Sequence, residues 1–163
     1  MPDNSVPGLK ARLKARLQAD LTEAIRGRDE LRSATIRMVL TAIRCDEVAG
    51  AVARELTDDE VVSVLTREAK KRREAAAAFD GAGRTEKAAR ERDELGVLAE
   101  YLPSQLSDDE LTALVAEEIA AVATPGAVGM AAMGRVMKAV QPRIAGRAEG
   151  GRVAAEVRRQ LAG

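Results

Sequence analysis

Apolar residues recur at three- and four-residue steps along most of the chain, and this spacing is typical of amphipathic α-helices. The first stripe of this kind predicts a helix that ends near Gly27. It consists of Leu9, Leu13, Leu17, Leu21 and Ile25. A second, broader apolar face follows Asp29, a good N-cap residue, and predicts a central core helix that ends near Gly50. The apolar residues of this second segment are Leu31, Ala34, Met38, Val39, Leu40 and Ile43.

Two further helix starts carry the capping-box pattern, in which a Ser or Thr and a Glu three residues later each bond a backbone N–H. Residues 57–60, Thr-Asp-Asp-Glu, predict a helix over about 58–79. A helix that restarts at Thr85 should stop at Pro103, and residues 107–110, Ser-Asp-Asp-Glu, predict the next one. Its apolar face is formed by Leu111, Leu114, Val115, Ile119 and Val122.

The C-terminal part predicts two more helices after a turn at residues 124–126. The first should span about 128–140 and end before Pro142. Its apolar side is formed by Met130, Met133, Val136, Met137 and Val140, and we interpret the methionines as core residues rather than metal ligands. The last helix has an apolar side of Val153, Val157 and Leu161.

These patterns predict an all-α, multihelical fold with two helical lobes, residues 1–102 and 103–163. The chain of 163 residues is 46% apolar, which is enough for a buried core. It has one Phe, one Tyr and no Trp, so this core must consist mainly of aliphatic side chains.

Charge is balanced overall, with 26 basic and 26 acidic residues, but it is unevenly distributed. The net charge is +4 for residues 1–44, −9 for residues 45–129 and +5 for residues 130–163. The basic C-terminal segment is therefore the candidate nucleic-acid-binding region, since cations neutralise phosphates and Gly146 and Gly150 permit a close backbone approach. Its candidate residues are Lys138, Arg143, Arg147, Arg152, Arg158 and Arg159. An ordinary solvated helix surface is the alternative, and it stays open.

A second basic run, residues 70–73, favours a structural interpretation. Four consecutive positions point to all sides of a helix, and Glu68 and Glu74 flank them. We therefore interpret this run as a solvated or salt-bridged helix surface.

The sequence offers no recognisable catalytic residues, metal ligands or cofactor motif. There is no His, and Cys45 is the only cysteine, which excludes Ser–His and Cys–His pairs and zinc sites of several thiolates. The paired aspartates 58/59 and 108/109 are explained by their positions in first helical turns. The N-terminal residues lack the apolar core of a secretory signal, so we expect a cytoplasmic location.

Five segments, in order along the chain, resemble signatures of the GatB/YqeY family. They are Ile36–Arg44, Leu56–Val61, Glu100–Ser107, Met133–Met137 and Gly146–Gly150. The family usually has Asp where Glu149 stands, a change that preserves the charge.

The resemblance implies a relationship to the tail of the B subunit of the tRNA-dependent amidotransferase. That enzyme is a carbon–nitrogen ligase with glutamine as amido-N-donor; its chemistry belongs to another domain, and the helical tail helps to hold the tRNA. The resemblance thus predicts an accessory protein whose C-terminal lobe contacts tRNA or an RNA-bound protein. The alternative is a helical protein–protein adaptor, docked through its acidic middle and alanine-rich third helix, with no RNA role. Whether any catalysis occurs is left open, and a ligase activity would rest on kinship alone.

Overall fold

The fold, given by a computed structural model, is described for residues 12–122 and 129–163, excepting the side chain of Met130. Within these residues there are seven α-helices and no strand, which confirms the all-α prediction. The helices are α1 (Arg12–Arg26), α2 (Glu30–Val48), α3 (Asp58–Gly81), α4 (Thr85–Ala99), α5 (Asp108–Val122), α6 (Met133–Ile144) and α7 (Gly150–Ala162). A 3₁₀ turn, Gly129–Ala132, precedes α6.

The chain divides into two compact units, one ending at Leu102 and the other beginning at Pro103. The first contains α1 to α4, and the second contains α5 to α7 with the 3₁₀ turn. Each unit has its own cluster of buried apolar side chains.

In the first unit, α3 and α4 form the most extensive helix pair, and α1 packs mainly on α2. The turn between α3 and α4 contains Gly83 with φ +69°, a conformation that glycine adopts without steric penalty. The core is aliphatic except for Tyr101, and each fully buried Leu or Val contributes about 1.5–3 kcal/mol relative to an exposed one. Its fully buried residues include Leu17, Ile36, Val39, Ile43, Leu65 and Leu98.

In the second unit, α5 packs on both α6 and α7, and these two helices also contact each other. The centre of this core holds Val115, Val136, Val140 and Val157. Met133 and Met137 pack against it, which confirms the core interpretation for these two methionines. Met130 was predicted to share that role, but its side chain lies outside the described residues.

All three predicted side-chain caps are confirmed. Asp29 Oδ1 accepts the N–H of Arg32 at 3.0 Å. In the box that starts α3, the Glu60 N–H donates to Thr57 Oγ1 at 3.3 Å and the Thr57 N–H donates to Glu60 Oε2 at 2.8 Å. The box that starts α5 repeats this geometry, at 3.2 Å and 2.8 Å, between Ser107 and Glu110.

The prediction that Pro142 ends its helix is wrong, because α6 continues through Pro142 to Ile144. Proline removes one N–H and so weakens the last turn, but Ile144 is buried in the core and holds that turn in place. The helix stops instead at Ala145 and Gly146, which have φ values of +26° and +79°. The predicted start near Val128 lies outside the described residues.

The predicted core face of α2 is wrong at Met38, and the predicted α1 stripe is wrong at Ile25. Their exposed fractions are 43% and 50%. The buried face of α2 is formed instead by Ile36, Val39 and Ile43. Leu9, the first residue of the predicted α1 stripe, lies outside the described residues.

None of the described helices combines the length and hydrophobicity needed to cross a lipid bilayer.

Candidate functional site

All six cations of the candidate nucleic-acid-binding region lie on α6, α7 or the loop between them. Lys138 and Arg143 are on α6, Arg147 is in the loop, and Arg152, Arg158 and Arg159 are on α7. Their surroundings separate them into three pairs with different roles.

Arg147 and Arg152 form internal contacts of the second unit. The Arg147 Nε donates to the carbonyl of Ser104 at 3.1 Å. Arg152 donates from Nη1 to the carbonyl of Leu106 at 2.8 Å and from Nη2 to Asp108 Oδ1 at 2.6 Å. These bonds hold the segment before α5 against the start of α7, so both guanidinium groups stabilise the unit.

Arg143 and Arg159 are exposed but ion-paired. Arg143 lies 2.7 Å from Glu118 Oε1 and 2.9 Å from Glu117 Oε2, both on α5. Arg159 lies 2.6 Å from Glu156 Oε1, one turn earlier on α7. These hydrogen bonds raise the pKa of both guanidinium groups, and the bond from Arg159 is the main cause that lowers the pKa of Glu156 to about 2. Both guanidinium groups stay on the surface although Glu118 and Glu156 are only 15% accessible, so a polyanion can reach the arginines from the solvent side.

Lys138 and Arg158 are the exposed cations of the third pair. No carboxylate of the described residues forms a salt bridge with either side chain. Arg135, which the sequence reasoning missed, is also exposed on α6, one turn before Lys138. Spacing alone could have found it, since helix positions three residues apart share a face.

The second unit as a whole is not basic. Residues 103–163 contain seven Lys/Arg and seven Asp/Glu. Residues 130–163 have a net charge of +5, but their helices α6 and α7 pack against α5. The segment from Pro103 to Gly129, which contains α5, contributes five of the seven acids. The total charge of this unit therefore does not attract a polyanion, and only the local positions of its cations could do so.

The start of α7 contributes backbone rather than side-chain groups. Its N-cap, Glu149, makes no side-chain cap hydrogen bond, and a Cβ at Gly150 or Gly151 would meet only open space. Amide groups in a first helical turn attract anions, and the absence of side chains at these two glycines lets a ligand approach the backbone.

The basic run at residues 70–73 lies on α3 and forms ion pairs, as the structural interpretation predicted. Lys70 lies 3.8 Å from Glu74, and Lys71 lies 2.7 Å from Glu68. Sequence reasoning missed that Arg72 is buried, with its Nη1 2.6 Å from Glu68 Oε2 and its Nε 3.4 Å from Glu94 Oε2.

This buried triad, Glu68–Arg72–Glu94, joins α3 to α4. Burial raises the pKa of Glu68, but hydrogen bonds from Lys71 and Arg72 outweigh it, and the net shift is downward. Both carboxylates and the guanidinium are nearly inaccessible to solvent. The triad is therefore an interior structural element rather than a binding surface.

A second polar cluster joins α1 and α2 to the end of the fourth helix. The Tyr101 hydroxyl donates to Asp20 Oδ2 at 2.5 Å and accepts from Arg32 Nη2 at 3.2 Å. The guanidinium of Arg16 lies over the ring, 4.8 Å from its centroid. Burial and the bond to Asp20 raise the pKa of Tyr101 to about 12, so the phenol stays protonated and acts as a donor.

No group of three or more Cys, Asp or Glu side chains suited to a metal ion occurs among the described residues. Cys45 is exposed on α2. The described part of α6 and α7 thus offers exposed cations on its surface.

The sequence profile of the Yqey-like protein family matches residues 14–161, a range that covers nearly all of the seven helices. The chain belongs to this family. No curated protein shows a significant match to the chain.

Family membership confirms the YqeY resemblance. The five signature segments occupy defined places in the fold: the middle of α2, the start of α3, the connection from α4 to α5, the start of α6 and the loop before α7. The position at which the family usually has Asp, Glu149, is the N-cap of α7. Asp, which the resemblance implies at this position, is a preferred N-cap residue, whereas Glu149 makes no side-chain cap hydrogen bond.

Proposed function

We propose that this member of the family is an accessory protein that binds tRNA, free or carried by a partner protein, through the cations of its second unit. The observation that supports this most directly is the exposure of Lys138 and Arg158, which form no ion pair within the described residues. Arg143 and Arg159 add exposed guanidinium groups that a phosphate can contact from the solvent side.

The nucleic-acid class of the proposed ligand comes from the resemblance to the amidotransferase tail. In that comparison the chain contributes shape and charge, and any transfer of nitrogen from glutamine belongs to another protein. The two aromatic residues of the chain, Phe79 and Tyr101, both precede the second unit. Binding by that unit would therefore proceed through phosphates and shape, without base stacking.

A salt-dependent titration tests the proposal. Filter binding with total tRNA at several salt concentrations should give affinities that fall steeply, with a log–log slope of about −0.7 to −0.9 for each phosphate neutralised. The double variant Lys138→Glu with Arg158→Glu should weaken binding and flatten the slope. Reversing Arg147 or Arg152 would be a poor test, since both hold the unit together.

A matched control changes the charge equally elsewhere. Arg84→Glu with Lys87→Glu reverses two exposed cations at the start of α4 and alters the net charge by the same amount. It should leave tRNA affinity nearly unchanged. If both double variants lost the same tRNA affinity, overall charge would explain the loss, and the proposed surface would be overturned. Transfer of nitrogen from glutamine to aminoacyl-tRNA by the purified chain alone would overturn the accessory role.

A further inference from the structure

An open groove on the first unit has a chemistry that the proposed function does not use. It has a volume of about 500 Å³ and lies along α1 and α2. Its apolar lining comes from Leu21 on α1 and from Leu40, Cys45 and Val48 on α2. Arg37 and Arg44 lie at the same groove, so apolar and cationic groups are combined there.

The large apolar side chains that stay exposed are concentrated in this part of the chain. Among the described residues there are four of them, all within residues 25–52, and none lies in the second unit. They are Ile25 at 50%, Met38 at 43%, Val48 at 60% and Val52 at 79% exposure. Of these four, Val48 lines the groove, and an exposed apolar side chain at a groove is typical of protein interaction sites.

The cations of the groove are not neutralised within the unit. Arg37 and Arg44 are seven residues apart, two turns of α2, and lie about 10 Å from each other along one side of the helix. No carboxylate of the described residues forms a salt bridge with either.

The nearest acids of α2 already have other partners. Asp46 lies 3.0 Å from Arg67, and Glu47 binds Lys14 through both oxygens, at 2.7 Å and 2.9 Å. Arg44 contributes to the lowered pKa of Glu47 only through its field, after the hydrogen bond from Lys14 and the other causes. The groove side of α2 thus has two cations and apolar side chains, and the nearby acids are paired with other residues.

We propose that this groove is a docking site for an acidic amphipathic helix of a partner protein. Apolar residues of that helix at i, i+4 and i+7 would cover Leu21, Leu40 and Val48, and two carboxylates about seven residues apart would pair with Arg37 and Arg44. RNA fits this surface less well, since a phosphate backbone would satisfy the two arginines and leave the apolar lining in water. The inference concerns a different unit from the one proposed to bind tRNA, so either can fail without the other.

The single thiol of the chain reports on the groove directly, because Cys45 is exposed and lies in its lining. The probe is a synthetic helical peptide with leucines at i, i+4, i+7 and i+11 and glutamates seven residues apart beside them. A control peptide carries lysines in place of the glutamates, and a single-stranded RNA oligonucleotide is the third probe. Binding is followed by fluorescence anisotropy, and occupancy of the groove by the rate at which a disulfide reagent modifies Cys45.

The acidic peptide should bind and slow Cys45 modification, and the lysine peptide should do neither. Arg37→Glu with Arg44→Glu should reduce the affinity at least about tenfold, since like charges would then face each other. Val48→Ser, at an exposed position, should weaken binding without unfolding the unit. The Arg84→Glu and Lys87→Glu control should leave both readouts unchanged.

Several results would overturn the proposal. These are no binding of the acidic peptide at millimolar concentration, equal binding of the acidic and basic peptides, or binding that leaves Cys45 fully reactive. Preferential protection of Cys45 by RNA would reassign the groove to nucleic acid. Protection that rises with protein concentration alone, together with a doubled mass in light scattering, would reassign it to a second copy of the chain.

Discussion

The two units of the molecule handle charge in opposite ways. The first unit encloses the Glu68–Arg72–Glu94 triad between α3 and α4, where solvent hardly reaches it. In the second unit the arginines of the ion pairs remain solvent-accessible, at Arg143, Arg152 and Arg159. A buried charge depends strongly on its partners, whereas an exposed one exchanges them at little cost. The first unit therefore has a set of ion pairs that holds α3 to α4 away from solvent, in addition to exposed pairs such as Arg54–Glu60, whereas the arginines named in the second unit all remain in contact with water.

Removal of Arg72, the central cation of the buried triad, should have the largest effect on stability. Arg72→Ala removes the buried cation and leaves Glu68 with Lys71 and Glu94 with Arg90, whose side chains are both largely exposed. We expect it to lower the free energy of unfolding by about 3 kcal/mol, the lower end of the range for a broken buried pair. Urea denaturation followed by circular dichroism measures the loss. The triple variant Glu68→Leu, Arg72→Met, Glu94→Leu should recover most of it, since it removes all three charges. A triple variant as unstable as Arg72→Ala would mean that packing, and not charge, is responsible.

Loss of the Tyr101 hydroxyl comes next. Tyr101→Phe keeps the buried ring and its contact with Arg16, but leaves Asp20 without its 2.5 Å donor. We expect a loss of about 1–2 kcal/mol in the free energy of unfolding, measured by the same denaturation. Asp20→Asn is the matched control, and adding it to Tyr101→Phe should cost little more if the two groups act as a pair.

The two capping boxes allow an equivalent substitution to be made in each unit. Thr57→Ala and Ser107→Ala each remove a hydroxyl that accepts a first-turn N–H, and each should lower stability by about 1 kcal/mol. Hydrogen exchange of the α3 and α5 amides separates the two effects. The first variant should speed exchange only in the first unit, and the second only in the second. Exchange that rises equally in both would show that the units unfold together.

Acid should weaken the first unit as Glu60, the carboxylate of the α3 capping box, becomes protonated. Hydrogen bonds from Arg54 and from the Thr57 N–H lower the pKa of Glu60 to about 2, against an ordinary value of 4.5. A lowered pKa means that the charged form stabilises the fold above about 4.5 and that this contribution is lost as the pH falls towards 2. Glu60→Gln should flatten the pH dependence of the unfolding free energy in that window. A profile as steep as that of the unchanged chain would assign the dependence to other carboxylates.

The smallest stability effect is expected at an exposed pair of the second unit. Arg159→Gln breaks the pair with Glu156, and no measurable change in the urea midpoint should follow, since Arg159 is exposed and Glu156 keeps its hydrogen bond from Gln160. The same variant should reduce tRNA affinity under the proposed function. A clear loss of stability with unchanged tRNA affinity would place Arg159 with Arg147 and Arg152 as a structural residue.

Local features of the fold were predictable from the sequence, because they depend on neighbouring residues. The boxes at Thr57 and Ser107 need only residues three positions apart, and the cap at Asp29 likewise. The burial of Arg72 could not be predicted in this way, since its partner Glu94 is on the next helix.

The candidate surface shows the same limit. Arg143 was selected because few acids follow it in sequence, yet Glu117 and Glu118 reach it from α5, more than twenty residues earlier. Charge counted along a segment does not reveal which helix that segment packs on. The selection of Lys138 and Arg158 as binding residues stays a prediction, as does the separation of residues 1–102 and 103–163 into domains.

The way the second unit begins has a consequence for how such a module can be reused. Four hydrogen bonds hold residues 104–106 to the α6–α7 connection and α7: Leu106 N–H to Arg147 O, Gln105 Nε2 to Gly146 O, Arg147 Nε to Ser104 O and Arg152 Nη1 to Leu106 O. The entry point of the chain is thus anchored by the unit itself, rather than by whatever precedes it. A protein fused to residue 103 would therefore be joined to an ordered segment rather than to a frayed end. This makes the second unit suitable for transfer to other proteins as a domain.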